Sequence, residues 1–337
     1  MVIGFIAMAL IVTGALTGLA LYTKWQDALV AQERQSANLA RVLQEQTLRV
    51  LAPIDQATLR MRDAVANGSF QPSDFTRLAN ETGLVPDILT QLALVGADGR
   101  FVASNLDPDG QKTGPVDLSE REHIQIHLEP GRNPDLRKQL TRNGLFVGKP
   151  VLGKVSGKWT LQLSRPIVSP KGHLHGVVVA SVNPDYFETV FSDVDLGPGG
   201  AVTLLGDDNT LRARVSGGQA TGMGQVLKLA SDHPLLDVNK PEGTYTRVSE
   251  VDNMERITAF RRVPGYPLNM LVSITTEAAL EEWRGMRNVT LVVALLLGVA
   301  IVASGLGFLR GVRRLEESHA ALAVSEAQAQ SASQAKS

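Results

Sequence analysis

The sequence predicts an α+β fold in which two similar modules follow a long N-terminal helix and lie between two membrane-spanning helices. Three observations carry this prediction. Uncharged apolar segments occupy residues 1–23 and 288–309. A glycine-free segment follows the first of them and continues to residue 67. Beyond it, a pattern of short strands and turns occurs twice in succession.

The two uncharged segments are long enough to cross a bilayer. Residues 288–309 are a run of 22 residues, which as a helix would reach about 33 Å against a bilayer core of about 30 Å. A buried core helix rarely stays uncharged over this length. Residues 1–23 could alternatively be a cleaved signal peptide. They lack a basic start and an Ala-x-Ala cleavage signal, so an uncleaved anchor fits better.

Basic residues indicate the orientation of the chain. Arg310, Arg313 and Arg314 follow the second span directly, which favours a cytoplasmic C-terminus under the positive-inside rule. Residues 24–287 are then extracytoplasmic, and residues 310–337 are a cytoplasmic signalling helix or linker. A weak coiled-coil seam supports a helix there and is formed by Val312, Leu315, His319 and Leu322. A disordered tail is the alternative.

Residues 24–68 are predicted to be a long extracytoplasmic helix. Ala, Leu, Gln, Arg and Glu dominate it, and these side chains lose little entropy in a helix. Pro53 is expected to kink or divide this helix, and Asn67-Gly68 to end it. Its apolar surface exceeds what one module is expected to cover, so a parallel homodimer is predicted. The apolar residues are Trp25, Leu29, Leu39, Val42, Leu43 and Leu51.

Residues 69–190 are predicted to be the first module, which lies farther from the membrane. Apolar runs at 89–95 and 101–104, separated by Ala-Asp-Gly, form a hairpin. The remaining elements are a helix at 117–127, strands at 145–152, 158–168 and 174–182, and a short helix at 185–193. A turn at 169–172 joins the last two strands.

Residues 191–287 are predicted to be a second module of the same kind, closer to the membrane. The sequence Leu-Val-Gly-Ala-Asp-Gly at 94–99 is echoed by Leu-Leu-Gly-Asp-Asp-Asn at 204–209, 110 residues later. Strands are predicted at 244–248, 256–263 and 269–274. Thr275 or Thr276 is expected to cap a helix that leads into the second span.

Composition excludes several classes of function. Residues 24–287 carry 29 Lys and Arg against 31 Asp and Glu, which leaves no basic field for nucleic acid. The chain has no cysteine, so disulfides, thiolate zinc sites and cysteine nucleophiles are excluded. Residues 144–149 superficially resemble a phosphate loop, but the spacing is one residue short and Pro150 stands where Ser or Thr is needed. No catalytic residue and no cofactor are predicted.

Three stretches together resemble the double Cache family, the tandem PAS-like sensor domains of bacterial transmembrane receptors. The first is Asp-Leu-Ser-Glu-Arg-Glu-His at 117–123. The second is Gly-Leu-Phe-Val-Gly-Lys-Pro-Val-Leu at 144–152, which continues through Ser-Gly-Lys-Trp-Thr at 156–160 to Arg165. The third is Gly-Val-Val-Val-Ala-Ser-Val-Asn-Pro-Asp-Tyr-Phe at 176–187. The resemblance covers nearly the whole chain.

The resemblance implies a sensor in the bacterial inner membrane that binds a small ligand and signals to a cytoplasmic output domain. Residues 327–337 resemble the linker before the phosphoacceptor histidine box of hybrid sensor kinases. The chain itself is therefore expected to be a non-enzymatic fragment of a sensor histidine kinase. The alternatives are the sensor region of a diguanylate cyclase, or an adhesion or scaffolding protein without a small-molecule ligand.

Alternating polar residues on the predicted strands indicate a ligand site in the distal module. Gln162 and Ser164 share one face of a strand, and Ser181 and Asn183 share a face of the next. Polar side chains inside a sheet are costly unless they are satisfied. Internal water or backbone groups could satisfy them, but in the double Cache family the ligand site lies here. The predicted ligand-binding residues are Arg121, His123, Lys149, Trp159, Gln162, Ser164, Ser181 and Asn183.

The basic members of this set favour an anionic ligand. Arg121, His123 and Lys149 would supply positive charge to a carboxylate, although Arg121 could instead pair with Asp185 or another acidic residue of the chain. Amino-acid-binding relatives carry an aromatic pair after the helix arginine and an aspartate on the last strand. Here His123, Ile124 and Ser181 stand at or near those positions, which favours a small carboxylate or other anion over an α-amino ligand. His123 and His127 could alternatively share a metal, but no further ligand is evident, so no metal site is predicted.

Overall fold

The computed structural model describes residues 2–169 and 171–334. Its helices are α1 (Val2–Ala66), α2 (Pro72–Glu81), α3 (Glu122–Leu128), α4 (Asp185–Ser192), α5 (Thr276–Ala279) and α6 (Glu281–Gln334). Its strands are β1 (Leu89–Gly96), β2 (Phe101–Ser104), β3 (Phe146–Leu152), β4 (Trp159–Val168), β5 (Leu174–Val182), β6 (Ala201–Gly206), β7 (Leu211–Ser216), β8 (Gln219–Ala220), β9 (Glu242–Val248), β10 (Glu255–Arg262) and β11 (Leu268–Thr275). Position 170 of the predicted turn and positions 335–337 of the predicted linker lie outside the described residues.

The chain divides into two compact units. One comprises Ala31–Ala278, and the other comprises the chain up to Val30 together with the chain from Ala279 onward. The first unit contains both predicted modules, and α1 contributes residues to both units. The predicted module boundaries at 68/69, 190/191 and 287/288 remain predictions.

Helix α1 passes through Pro53 without interruption, so the prediction that Pro53 would divide the helix is wrong. A proline removes one backbone hydrogen bond and crowds the preceding turn. Val50, Leu51 and Ile54 are buried on both sides of it and hold the helix against the core. The predicted end is confirmed, because Gly68 adopts a φ of 69° and its N–H donates to Val65 O at 3.1 Å.

The first predicted module, called the distal module after its predicted position, contains a five-stranded antiparallel sheet with strand order β2-β1-β5-β4-β3. The predicted hairpin and the three predicted strands that follow it are confirmed to within about two residues at each end, the usual scatter of such boundaries. Helix α2 was not predicted. It begins at Pro72, with the Asp74 carboxylate accepting from the N–H of Gln71 at 2.8 Å.

Helix α3 is shorter than predicted and begins at Glu122 rather than at 117. The Asp117 carboxylate accepts from the N–H and the hydroxyl of Ser119 at 2.9 and 2.7 Å. This local turn competes with helix formation and keeps the segment out of the helix. Arg121 therefore stands at the N-cap with extended backbone angles of −77° and 131°.

The proximal module repeats the distal topology. Its strand order is β8-β7-β6-β11-β10-β9, which matches the distal order once the two-residue β8 is set aside. The echoed sequences form equivalent hairpin turns. Asp98 Oδ1 and Asp208 Oδ1 each accept from the N–H two residues on, at 3.1 Å, and Gly99 and Asn209 follow with φ of 78° and 60°. The predicted tandem repeat and the three predicted strands of this module are confirmed.

One continuous apolar core joins α1 to both sheets. Leu43, Leu51 and Met61 of α1 are buried in the same cluster as Leu92 of the distal sheet and Val202 of the proximal sheet. Burial of each such side chain stabilises the fold by about 1.5–3 kcal/mol. Leu43 and Leu51 are therefore covered within the chain, which corrects their predicted place on a dimer surface. Val42, from the same predicted set, is 58% exposed.

The second unit contains the start of α1 and helix α6. Each of these helices is long and apolar enough to cross a membrane, as the sequence predicts. They approach closely at Gly305, where a Cβ would collide with the side chain of Ile6. The Trp283 indole N–H donates to Leu21 O at 3.2 Å, and the Arg287 guanidinium lies 5.3 Å from the centre of the Trp283 ring.

Candidate functional site

A row of polar side chains crosses the distal sheet. Gln91 on β1 lies opposite Ser181 on β5, and Ser181 lies opposite Gln162 on β4. All three are buried. The Ser181 hydroxyl donates to Gln162 Oε1 at 3.0 Å, and the Gln162 amide donates to Thr160 Oγ1 at 2.7 Å. Gln91 was missed by sequence reasoning, although its polar side chain inside the apolar run 89–95 was the available signal.

This polar row lines a small cavity beside the start of α3. The cavity has a volume of about 30 Å³ and its wall includes Arg121, His123, Gln162 and Ser181. Four of the eight predicted ligand-binding residues, Arg121, His123, Gln162 and Ser181, are therefore brought together. No Asp or Glu is among the residues that line the cavity. Two cationic side chains, Arg121 and Lys154, contribute to this wall.

Arg121 faces this cavity from the N-cap of α3. Its guanidinium donates to Leu152 O at 3.1 Å. Within residues 2–169 and 171–334, Arg121 forms no ion pair, so the alternative pairing with Asp185 is not present. Arg121 also lines a neighbouring cavity of about 200 Å³, together with Glu122, His123 and Lys149. Glu120 lines this second cavity as well, so two carboxylates share its wall with the Arg121 guanidinium.

The turn between β3 and β4 covers the small cavity. Its residues 153–156 contribute to the wall, and Lys154 Nζ donates to Asp117 O at 2.9 Å. A cavity of this size holds about one water molecule. A ligand of even a few atoms therefore requires the turn to move outward.

The other predicted site residues lie elsewhere. Ser164 is buried beneath α3, where its hydroxyl donates to His123 O at 2.6 Å and contacts His127 Nε2 at 2.9 Å. Ser164 was predicted to bind the ligand, but it does not line the cavity, because the α3 backbone lies over it on that side of β4. Trp159 is 52% exposed at the first position of β4. Asn183 Oδ1 accepts from the N–H of Asp185 at 3.1 Å, outside the cavity.

Two of the three predicted cations are not available as free positive charge. Burial, followed by the charges of Arg121 and His127, lowers the pKa of His123 to about 3. His123 is therefore neutral at physiological pH. Lys149 Nζ lies 2.8 Å from Glu122 Oε1, and this ion pair stands in the wall of the larger neighbouring cavity. Arg121 remains as the unpaired cation of the predicted set.

His127 is also held neutral. Burial is the main cause that lowers its pKa, to about 4, and the nearby Arg165 adds to the effect, although its bond to Ser164 opposes the shift. In the described part of the chain, no group of three His, Asp or Glu side chains lies close enough together to hold a metal ion. The neutral His127 imidazole is bonded to the Ser164 hydroxyl, and the neutral His123 imidazole forms part of the cavity wall.

Two buried arginines that sequence reasoning missed connect different elements of the unit Ala31–Ala278. Arg165 on β4 pairs with Asp55 on α1, and Tyr266 of the β10–β11 turn donates to the same carboxylate at 3.4 Å. Arg212 on β7 is fully buried and donates to Gln139 Oε1 of the distal module at 2.8 Å. Burial lowers the pKa of both arginines, while the neighbouring aspartates oppose the shift. These contacts tie α1 and the two modules into one body.

A Cache domain model of the double Cache type matches residues 22–283 of this chain. No curated protein matches the chain. Among solved structures, the extracellular domain of rpHK1S-Z16, named as a candidate histidine kinase, is 25% identical, with a TM-score of 0.59 and coverage of 76% of this chain and 99% of that one.

Two further structures share the fold. The ligand-binding domain of the Pseudomonas fluorescens chemoreceptor CtaA, in complex with L-isoleucine, is 16% identical with a TM-score of 0.53, and the match covers 77% of this chain and 99% of that one. An extracellular ligand-binding receptor from Desulfohalobium retbaense is 14% identical with a TM-score of 0.50, and the match covers 71% and 40%. With its two matching sheets and the family match over most of its length, this chain belongs to the Cache domain family.

Proposed function

We propose that this chain is the sensory region of a receptor in the bacterial inner membrane, and that its distal module binds a small anionic ligand outside the cytoplasm. One observation carries this proposal. The cavity beside α3 is walled by Arg121 and Lys154, contains no Asp or Glu in its wall, and leaves the Arg121 guanidinium without a carboxylate partner. An unpaired, half-buried guanidinium gains most from a carboxylate, which it can bind through two parallel hydrogen bonds.

The same wall favours an anion without an ammonium group. An α-amino group needs a carboxylate or several acceptors in a desolvated site. The position on β5 that faces the cavity carries Ser181, whose hydroxyl already donates to Gln162. We infer that the ligand is a small carboxylate held by Arg121, with Gln162 and Ser181 beside it.

Ligand entry provides a route to signalling. The turn at residues 153–156 must open to admit a ligand, and it borders β4, which carries Arg165. Arg165 pairs with Asp55 on α1, and α1 contains the first predicted span. We infer that displacement of this pair passes the signal to α1 and on to the cytoplasmic output domain.

We infer that the output domain is a histidine kinase, as in the name given to the rpHK1S-Z16 protein. The coding sequence after Ser337 tests this inference. A phosphoacceptor histidine box followed by an ATP-binding domain is expected. A diguanylate cyclase domain or a chemoreceptor signalling domain there would refute the kinase assignment and leave the sensor assignment intact.

A panel of small carboxylates tests the ligand class. Calorimetry and thermal unfolding of the purified chain in nanodiscs would be compared for each carboxylate and for its α-amino counterpart. A carboxylate at 100 times its Kd is expected to stabilise the protein by about 2.7 kcal/mol. Arg121→Ala is expected to weaken binding roughly thirtyfold, which corresponds to about 2 kcal/mol for a lost charge-assisted contact.

Arg77→Ala is the matched control for Arg121→Ala. Arg77 is exposed on α2, pairs with Asp74 and Glu81, and is not among the residues that line the cavity. Its removal is expected to leave ligand affinity unchanged, because an exposed ion pair contributes little. Equal binding by the native chain and Arg121→Ala would refute the proposed site.

A further inference from the structure

The proximal module contains a larger cavity on the corresponding face of its own sheet. Its volume is about 340 Å³, against about 30 Å³ in the distal module. Pockets for small organic ligands in proteins typically measure about 300–1,000 Å³. The proximal cavity therefore has room for a ligand without any movement of the backbone.

The strand register makes the two cavities equivalent. Gly96 and Gly206 occupy the same place in the two echoed hairpins. Counting along the paired strands from these glycines, Ser273 takes the place of Ser181, and Thr258 takes the place of Gln162. Both proximal residues line the proximal cavity, and their hydroxyls lie 2.9 Å apart. Two of the three positions of the distal polar row are thus polar in the proximal module as well, and Ala201 takes the place of Gln91.

In the proximal module, a buried cation lies beside these polar residues. Arg214 on β7 lies opposite Thr203 on β6, in the place that Ser104 takes opposite Ala93 in the distal sheet. Arg214 lines the cavity and is 5% exposed. It donates to Thr203 Oγ1 at 3.0 Å and to Asp252 Oδ2 at 2.8 Å. Its buried Nε has no hydrogen-bond partner in the described part of the chain.

Positive charge exceeds negative charge at the floor of this cavity. Arg256 is also buried and pairs with Asp252, so one carboxylate serves two guanidinium groups. Arg247, which also lines the cavity, is neutralised by Asp232 at 2.6 Å. A buried charge that is not fully compensated is costly and is relieved by a ligand of opposite sign.

The opposite wall is apolar. It is formed by half-buried and buried aliphatic side chains from the loop between β8 and β9, namely Leu227, Leu229 and Leu235. Of the residues lining the cavity, Glu250 is the acidic one; it is exposed, and its carboxylate accepts from the N–H of Lys228 at 2.6 Å. A ligand that fits both walls has one anionic end and one aliphatic end, and needs no ammonium group.

We propose that the proximal cavity is a second ligand-binding site, which takes a small aliphatic monocarboxylate with its carboxylate on Arg214 and its alkyl group on Leu227, Leu229 and Leu235. The chain then carries one ligand site in each module, and the proximal site lies on the sheet whose last strand, β11, leads directly into α5 and α6. This site is separate from the distal one and does not depend on it.

The probes are 4-methylpentanoate, its uncharged amide, and L-leucine, which adds an ammonium group to the same carboxylate and alkyl chain. Binding to the full chain in nanodiscs would be measured by calorimetry. The carboxylate is expected to bind at least tenfold more tightly than either of the other two. Equal or tighter binding of the amide or of L-leucine would overturn the proposed ligand class, and no binding of the carboxylate at millimolar concentration would overturn the site.

Two variants locate the site. Arg214→Gln is expected to weaken binding of 4-methylpentanoate at least tenfold. Leu229→Trp places a bulky indole in the part of the cavity assigned to the alkyl group and leaves Arg214, Asp252 and Arg256 unchanged. It is expected to weaken binding similarly if Arg214→Gln does not fold. The exposed Arg77→Gln serves as the control and should bind as the native chain does. The proposal would be overturned if Leu229→Trp bound 4-methylpentanoate as the native chain does. It would also be overturned if Arg121→Ala lost affinity for 4-methylpentanoate and Arg214→Gln did not.

Discussion

The carboxylate of Asp55 on α1 pairs with the guanidinium of Arg165 on β4, and both side chains are buried. The same carboxylate accepts from Tyr266 of the proximal module at 3.4 Å and from the Asn143 amide of the distal module at 3.3 Å. A single side chain on the long helix thus contacts both modules. A movement of the distal sheet can therefore be transmitted to α1 through the Asp55–Arg165 pair as well as through the shared apolar core.

Residues 24–287 are expected to fold alone as a soluble protein once both predicted spans are removed. The physical reason is the continuous core that joins α1 to both sheets within the unit Ala31–Ala278. Size-exclusion chromatography and thermal unfolding followed by circular dichroism check this prediction. Aggregated material without a cooperative transition in several such fragments would contradict it.

Removal of one partner of the Asp55–Arg165 pair is expected to be strongly destabilising. Asp55→Leu leaves the Arg165 guanidinium buried without its carboxylate, which typically costs about 3–5 kcal/mol. The double variant Asp55→Leu with Arg165→Met removes both charges and should recover most of this loss. Urea unfolding of the fragment 24–287 measures the difference. A double variant no more stable than Asp55→Leu would argue that the pair is not the source of the effect.

The contact between the modules makes a separate prediction. Gln139 Oε1 accepts from the fully buried Arg212, whose Nε has no partner in the part of the chain that the structure describes. Gln139→Leu removes an acceptor from this buried cation and is expected to cost about 1–3 kcal/mol. Gln111→Leu, at an exposed position, is the control and should change the unfolding free energy by less than about 0.5 kcal/mol.

Stability is expected to fall as the pH decreases from 7 to 5.5. Burial lowers the folded-state pKa of His123 to about 3 and that of His127 to about 4, whereas an unfolded histidine has a pKa of about 6.5. The unfolded chain therefore binds more protons below pH 6.5, and this favours unfolding. The stabilisation is complete above that pH and is lost as the pH falls toward the folded values.

Each of these two histidines should contribute about 1 kcal/mol to the loss between pH 7 and 5.5. His123→Gln and His127→Gln are expected to show a shallower pH dependence than the native fragment, whatever their absolute stability. His175→Gln is the control, because His175 is exposed. Parallel pH profiles for all three variants and the native protein would contradict the assignment.

Crosslinking tests the predicted parallel dimer. The chain lacks cysteine, so any crosslink in a single-cysteine variant must involve the introduced thiol. Val42 is exposed on α1, whereas Ala40 and Ser36 are buried within the chain. Cysteine at position 42 is expected to form an interchain disulfide in membranes, and cysteine at 40 or 36 is not. Equal crosslinking at all three positions, or none at position 42, would reject a dimer through this face.

Local sequence was sufficient to predict the elements and their repetition. The strands at 145–152, 158–168 and 174–182 and the two echoed hairpins depend on alternation and turn residues, which act over a few positions. The two spans depend only on length and the absence of charge. The wrong predictions about α1 and α3 concern places where two local interactions compete. Packing on both sides of Pro53 outweighed its helix-breaking effect, and the Asp117 turn delayed the start of α3.

The candidate site was only partly predictable for the same reason. Alternation along β4 places Gln162 and Ser164 on one face, but it does not reveal that α3 covers Ser164 and leaves Gln162 beside a cavity. The charge that a side chain can offer to a ligand also depends on its surroundings in the folded protein. The sequence predicts His123 and Lys149 as cations. In the structure, burial keeps His123 neutral, and Lys149 is paired with Glu122.

The sequence by itself determined a tandem α+β fold between two helices that are long and apolar enough to cross a membrane, because hydropathy, strand alternation and repeated turns depend on neighbouring residues. Tertiary structure alone decided which buried arginines are paired, which cavity is large, and which side chains line it. Asp55 and Arg165 are 110 residues apart in the chain. No local pattern specifies such a contact, because it exists only once the sheets have packed against α1.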